Sequence, residues 1–344
     1  MVIIGIDSHK SSLTAVAVDR SGTTVASRRF VVNAGTAAAL TAWSQRWHER
    51  RYAIEGAKGL GRGIAQILVA RGEDVVDVPS TLAMKVRVLS TGGGRKTDPD
   101  DARAIALTEL YHRDLHHVHR EDQSTILRLL SERRDDLTRE RTRVLNRLHQ
   151  LLRELIPGGV PTGLSADKAA AALRGIRPAS ATDACRRDLA KDVLADLRRL
   201  DTNVKANEAQ MRDAVAATAT TLPEVRGMST VLAAKLLGHV GDITRFPSAD
   251  HFAGYTGTAP LAASSGERTR HRLNAGGNRQ LNSVLHTVAV CQARDPGPGR
   301  VYYQRKLDEG KTPSEARRAL KRRLANVLYR RMRRDQQKPL PAAA

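Results

Sequence analysis

The 344 residues include only two cysteines, Cys185 and Cys291. They are too few and too far apart for a disulfide scaffold or a zinc ribbon, and they fit a reducing compartment. Aromatic residues make up 3% of the chain, which excludes base stacking on rings as the main mode of any nucleic-acid binding. No apolar run approaches the ~20 residues of a membrane span. Residues 1–7 lack the basic segment and the length of a secretory leader, so a cytoplasmic protein with no membrane partner is expected. Acidic side chains are also scarce: 36 Asp and Glu stand against 57 Lys and Arg, a net charge of +21. With 41% hydrophobic residues the chain is not a disordered polycation. Folded and strongly basic, it calls for a polyanionic partner. The excess is concentrated in residues 216–344, where 22 basic side chains face 9 acidic ones.

The first 115 residues alternate strand and helix signals. Residues 2–7, 13–19 and 24–32 read as three strands of an antiparallel meander, and a helix follows over 36–48. A fourth strand ends at Glu55, a Gly-rich bend follows, and then come helix 62–71, strand 74–78 and helix 80–89. A further helix begins near Pro99, a residue suited to the first helical turn. This order predicts an α/β domain with a mixed sheet over residues 1–115. Residues 116–217 read as a helical, coiled-coil-like middle. Its long helix over 121–156 carries Leu130, Leu137, Val144 and Leu151 at heptad spacing. That stripe suits either a dimer seam or an amphipathic helix packed on its own domain. Residues 218–336 read as a mainly α domain, and 337–344 as a frayed tail.

Asp7 and Glu55 each close an apolar strand. If those strands are parallel neighbours, their ends lie ~4.8 Å apart. Asp98 and Asp101, three apart at a helix start, can face the same way. Taken singly, Asp98 could be a helix cap and Asp101 a dipole partner. Together the four acids would repel one another unless a divalent cation, Mg²⁺ or Mn²⁺, sat between them.

The segments Gly5-Ile6-Asp7, Ile54-Glu55-Gly56 and Lys96-Thr97-Asp98-Pro99-Asp100-Asp101-Ala102 resemble the DEDD motifs of the bridge-RNA-guided, pilin-invertase-like insertion-sequence transposases. Gly227-Met228-Ser229-Thr230, Gly241-Asp242-Ile243-Thr244-Arg245-Phe246, Tyr255-Thr256-Gly257-Thr258-Ala259-Pro260 and Gly277-Asn278-Arg279-Gln280-Leu281-Asn282 are similar to the C-terminal transposase domain of the same family. The resemblance implies a RuvC-like, RNase H-type N-terminal fold with Asp7, Glu55, Asp98 and Asp101 as catalytic metal ligands. It also implies a serine nucleophile in the Ser264-Ser265-Gly266 segment, with Ser265 the matching position and Ser264 its alternative. The implied function is a transposase or recombinase that cleaves and rejoins element ends and target DNA, guided by a bridge RNA. Arg226 and Ser229 stand where the family often has Pro and Gly, which weakens a helix-hairpin-helix reading there.

Arg268, Arg270, Arg272, Arg279, Arg322 and Arg323 are the expected phosphate contacts, because guanidinium forks match phosphate geometry. A homodimer or homotetramer is expected, since recombination must hold several strand ends at once. His112, His116, His117 and His119 cluster without a Cys or Glu partner and read as a solvated helix end rather than a zinc site. The Gly-rich bend after Glu55 lacks the GxxxxGK[ST] of a P-loop. A RuvC-like nuclease using water with the same carboxylates is the competing enzyme. An actin-like kinase would need phosphate loops that are missing downstream.

Overall fold

The computed structural model describes residues 1–91, 97–112, 114–262, 271–272 and 276–337. The backbone divides into two units, Met1–Glu121 and Asp122–Ala344.

In the first unit, β1 (Val2–Ser8), β2 (Ser12–Val18) and β3 (Thr24–Val31) form the predicted antiparallel meander. On its other side β1 pairs in parallel with β4 (Arg50–Glu55), and β4 with β5 (Val75–Val78). A two-residue strand, β6 (His116–His117), closes the sheet antiparallel to β5, giving the order β3-β2-β1-β4-β5-β6. The mixed sheet expected from the sequence is therefore present. His116 and His117 are corrected from a helix end to an edge strand. Two residues give no alternation to read, and the strand is held by pairing with Val76 and Asp77.

Side chains alternate across the sheet. Ile4 and Ile6 of β1, with Tyr52 and Ile54 of β4, pack in one core with Leu40 and Trp43 of α1 (Thr36–Ser44) and Ala65 and Leu68 of α2 (Arg62–Ala70). Ile3 and Ala53 face the other way, onto Ala83 of α3 (Ser80–Thr91) and Ala102, Ile105 and Ala106 of α4 (Asp98–Tyr111). At its closest point α4 meets β1 backbone to backbone. A Cβ on Gly5 would stand 2.0 Å from the Ala102 carbonyl oxygen and 2.6 Å from the Ala106 nitrogen. Glycine on the strand and alanines on the helix are what this contact requires.

In the second unit, α5 (Gln123–Leu155) and α7 (Ala181–Ala216) lie antiparallel, cross-linked by Arg134–Glu208 at 2.7 Å and Arg186–Glu154 at 3.1 Å. Exposed pairs of this kind contribute little, about 0–1 kcal/mol each, so burial holds the hairpin. Leu148, Leu151 and Leu152 pack with Leu164 and with Ala169 and Leu173 of α6 (Ala166–Arg174), and with Leu194 and Leu197 of α7. Leu127 and the end of α7 join a larger core built on α8 (Thr230–Val240), α9 (Ala249–Tyr255), α10 (Arg279–Arg294) and α12 (Pro313–Gln336). Helix α11 (Pro298–Asp308) lies between α10 and α12 in sequence. Leu137 and Leu151 of the heptad stripe are buried, while Leu130 and Val144 pack against these cores. The stripe is thus used within the chain. Heptad spacing alone does not distinguish the two uses.

Replacing Gly5 with Val puts three carbons into the β1–α4 contact. Overpacking costs of about 1–3 kcal/mol are usual, and backbone atoms yield less readily than side chains. We expect Gly5→Val to lower the urea midpoint by the equivalent of at least about 2 kcal/mol. An unchanged midpoint would contradict this packing.

Candidate functional site

The alternation that buries Ile3 and Gly5 under α4 continues to Asp7, on the same face at the C-terminal end of β1. Ile6 pairs with Ile54, so Glu55 follows at the matching end of β4, on the face that carries Ala53. Helix α4 starts beside these strand ends. Thr97 is its N-cap, its side-chain oxygen accepting from the Asp100 backbone N–H at 3.3 Å. Asp98 is therefore the first helical residue and not the cap. Pro99 follows within the first turn. Asp98, Asp100 and Asp101 all lie in that turn, where the helix dipole favours negative charge.

One ligand atom from each of Asp7, His9 and Asp98 lies within 4.8 Å of the other two. His9 Nε2 stands 3.1 Å from Asp7 Oδ2 and 3.6 Å from Asp98 Oδ1. His9 was not among the expected ligands. The available signal was its position two residues past a strand-end acid, in the short turn where its N–H donates to Ser12 O. Asp101 lies near enough to raise the Asp7 pKa, and its own carboxylate accepts from Arg87 Nε of α3 at 2.9 Å. Glu55 occupies the neighbouring strand end but is not part of the three-residue cluster.

Asp7 is 9% exposed. Burial is the main cause pushing its carboxyl above the ordinary range; His9 works against this, and Asp101 and Asp98 add to it. Its Oδ2 is buried without a well-directed hydrogen bond. So is Thr14 Oγ1, on the β2 residue paired with Asp7. Buried oxygens normally find partners. A crowded carboxylate pair, an imidazole and a buried hydroxyl without a partner are a donor set that suits a divalent cation.

The other expected residues are spread over the second unit. Ser264, Ser265, Arg268 and Arg270 lie outside the described residues, within the 263–270 connection between β7 (Leu261–Ala262) and β8 (His271–Arg272). Arg272 belongs to β8. Arg279 is exposed at the start of α10, and Arg323 is exposed on α12. Arg322 is held by Asp250 and Asn326. Arg318, Arg330 and Arg334 add exposed charge along α12. Gly227, which opens the segment weighed as a helix-hairpin-helix, has φ of +80°. A Cβ there would lie 2.9 Å from Cys291 Cβ, so this glycine makes room for α10.

The raised Asp7 pKa has a stability consequence. A carboxyl that binds its proton more tightly when folded loses stability as pH rises from the unfolded value, about 3.8, through the folded one. Without added metal, Asp7→Asn should therefore melt no lower than wild type near neutral pH, and any gain should vanish once both states are protonated below about 3.8. Millimolar Mg²⁺ should raise the wild-type melting temperature and leave the variant unmoved. A variant less stable than wild type in chelator would contradict the account.

Among the described residues no helix is long and apolar enough to cross a membrane. Residues 4–157 match a family described as a transposase of the DEDD type of IS110. Residues 219–304 match one described as "Transposase IS116/IS110/IS902 family". The chain is 30% identical to the insertion element IS116 44.8 kDa protein of Streptomyces clavuligerus, over 96% of this chain and 94% of that one. It is 28% identical to the insertion element IS900 42 kDa protein of Mycobacterium paratuberculosis, over 83% of each. Thermus thermophilus RuvC in complex with a Holliday junction substrate aligns at 18% identity over 34% of this chain and 99% of its own, with a TM-score of 0.29. Relatedness along almost the whole length, with both family regions in order, makes this chain a member of the IS116/IS110/IS902 family of transposases, enzymes that cleave and join DNA.

Proposed function

We propose that the chain moves an insertion element by cutting and resealing DNA at a composite site. Asp7, Glu55, Asp98 and Asp101 would hold the metal, with the His9 imidazole beside Asp7 and Asp98 as a further ligand, and Ser265 would supply the nucleophile. The observation that carries this reading is the Asp7–His9–Asp98 cluster at the start of α4, within a DEDD-type transposase. When bound there, Mg²⁺ or Mn²⁺ offsets the charge of the scissile phosphate and polarises it.

The chain's own residues then divide the work. Asp7 and Glu55, on adjacent strand ends, and Asp98 and Asp101, on one helical turn, present carboxylates from rigid elements, which limits the freedom lost on binding. Ser265 Oγ forms a bond to phosphorus as the bond from phosphorus to the 3′ oxygen breaks. The serine gives up its proton and the leaving strand departs as a 3′-hydroxyl. The protein keeps a 5′-phosphoserine linkage, and attack by a 3′-hydroxyl on that ester restores both serine and DNA. Each step exchanges one phosphate ester for another, so rejoining needs no nucleotide cofactor.

The basic C-terminal third supplies backbone contacts, with Arg268, Arg270, Arg272, Arg279, Arg322 and Arg323 the residues proposed. Target choice is assigned to pairing with a structured bridge RNA, as the family resemblance implies. Holding donor and target ends together calls for a homodimer or homotetramer, formed through surfaces other than the buried α5 stripe.

On a plasmid carrying the element, wild type should leave a protein–DNA species that survives denaturant and maps to Ser265 by peptide mass. Ser265→Ala should bind DNA near normally and form no adduct, and Asp98→Asn should neither cut nor form one. Cleavage by Ser265→Ala at the wild-type rate, or an adduct on Ser264, would overturn the serine assignment. Full cleavage in excess chelator would overturn the metal.

A further inference from the structure

The connection that carries Ser265 leaves α9 and returns to α10 through a narrow stem. A Cβ on Gly277 would lie 2.4 Å from both the nitrogen and the Cα of Gly257, so the outgoing and incoming backbones touch. Asn278 N–H donates to Tyr255 O at 2.7 Å across the same point. Asn278 also caps α10, its side-chain oxygen accepting from the N–H groups of Gln280 and Leu281. The stem is therefore fixed to the start of one helix and the end of another.

One side chain reads both stem carbonyls. Asn282 Nδ2 donates to Thr256 O at 3.1 Å and to Gly257 O at 2.9 Å. Its Oδ1 accepts from Lys321 Nζ of α12 at 2.6 Å. These partners fix the amide's orientation: an ammonium cannot accept and a carbonyl cannot donate, so the flipped amide would face like with like on both sides. The charged donor also polarises the amide and strengthens the two bonds beyond it.

Lys321 is an unusual choice for a half-buried place between α10 and α12. Burial and the nearby Arg318 both work against its charge, and no acid among the described residues offsets them. Desolvating an ammonium is costly, and a Met or Leu would fill the space without that penalty. Its neighbours add positive charge: Lys321 and Arg317 both depress the pKa of His286 on α10, after burial.

We propose that Lys321 and Asn282 are positioning residues for strand cleavage, locking the Thr256–Gly257 stem from which the 258–276 connection departs. This rests on the reading that the connection carries the nucleophile. The stem anchors both ends of the connection, and misplacement of a reacting group by about 1 Å can cost about a hundredfold in rate.

The test uses the full chain on a supercoiled plasmid bearing the element, with RNA transcribed from the element's flanks. Single-turnover nicking, DNA affinity and melting temperature are measured for Lys321→Met, Lys321→Arg, Asn282→Asp and wild type. Asn282→Asp keeps the acceptor for Lys321 but turns a carboxylate oxygen toward two carbonyls. Lys321→Met and Asn282→Asp should slow nicking about ten- to a hundredfold while DNA affinity stays within about twofold and Lys321→Arg restores most of the rate. Hydrogen exchange at Thr256–Thr258 should quicken in both slow variants. Affinity falling in step with the rate would make Lys321 a phosphate contact and overturn the proposal, as would an unchanged rate. Nicking is scored whichever nucleophile opens the bond, and the adduct is scored separately. Wild-type nicking without adduct would therefore reject Ser265 and the premise with it, whereas a wild-type adduct with unchanged nicking in the variants would reject the positioning role alone.

Discussion

The backbone contact between β1 and α4 is the constraint on which the candidate metal centre depends. A helix packed on a sheet through ordinary side chains is held off by them. Gly5 opposite Ala102 and Ala106 removes the side chains that would hold it off. The helix start then comes down beside the strand ends, and Asp98 reaches the imidazole that Asp7 also meets. With Gly5 and the two alanines in place, Asp7, two residues beyond Gly5, and Asp98, four before Ala102, have little choice of position.

The carboxylates are brought together against their own repulsion. Asp7 is buried, crowded by Asp98 and Asp101, and only partly relieved by His9. Arg87 takes up one oxygen of Asp101, and the dipole of α4 favours the first-turn acids. None of these neutralises the set, and Thr14 Oγ1 stays buried beside it without a hydrogen bond. A fold that tolerates such an arrangement gives up stability where a ligand can restore it, the pattern expected of a site shaped for binding rather than for packing.

Much of this was legible in the sequence because it rests on periodicity. Strands β1–β5 and helices α1–α4 follow from alternation, β-branched runs and Gly or Pro breaks, whereas the parallel pairing of β1 with β4 was only the condition for two strand-end acids to meet, and the sheet meets it. The fate of the α5 stripe was not legible, since Leu137 and Leu151 repeat at the same spacing whether a second chain or α7 covers them. His9 was missed because a histidine in a turn carries no periodic signal; its meaning comes from Asp98, ninety residues away in the chain. Asn282 and Lys321 stood inside segments read for helix and charge. Their link to the Thr256–Gly257 stem exists only once α10 and α12 are packed.

The central claim is that Asp7, His9 and Asp98 form one divalent-cation site. Mn²⁺ titration of the full chain, followed by the loss of the free-ion paramagnetic resonance signal, tests it without reference to catalysis, and spin-echo modulation reports whether a nitrogen is bound. The account predicts that Asp98→Asn weakens binding at least about tenfold, a difference of about 1.4 kcal/mol, and that nitrogen modulation present in wild type is lost in His9→Gln. Equal Mn²⁺ affinity in wild type and Asp98→Asn, with no nitrogen coupling in either, would contradict it.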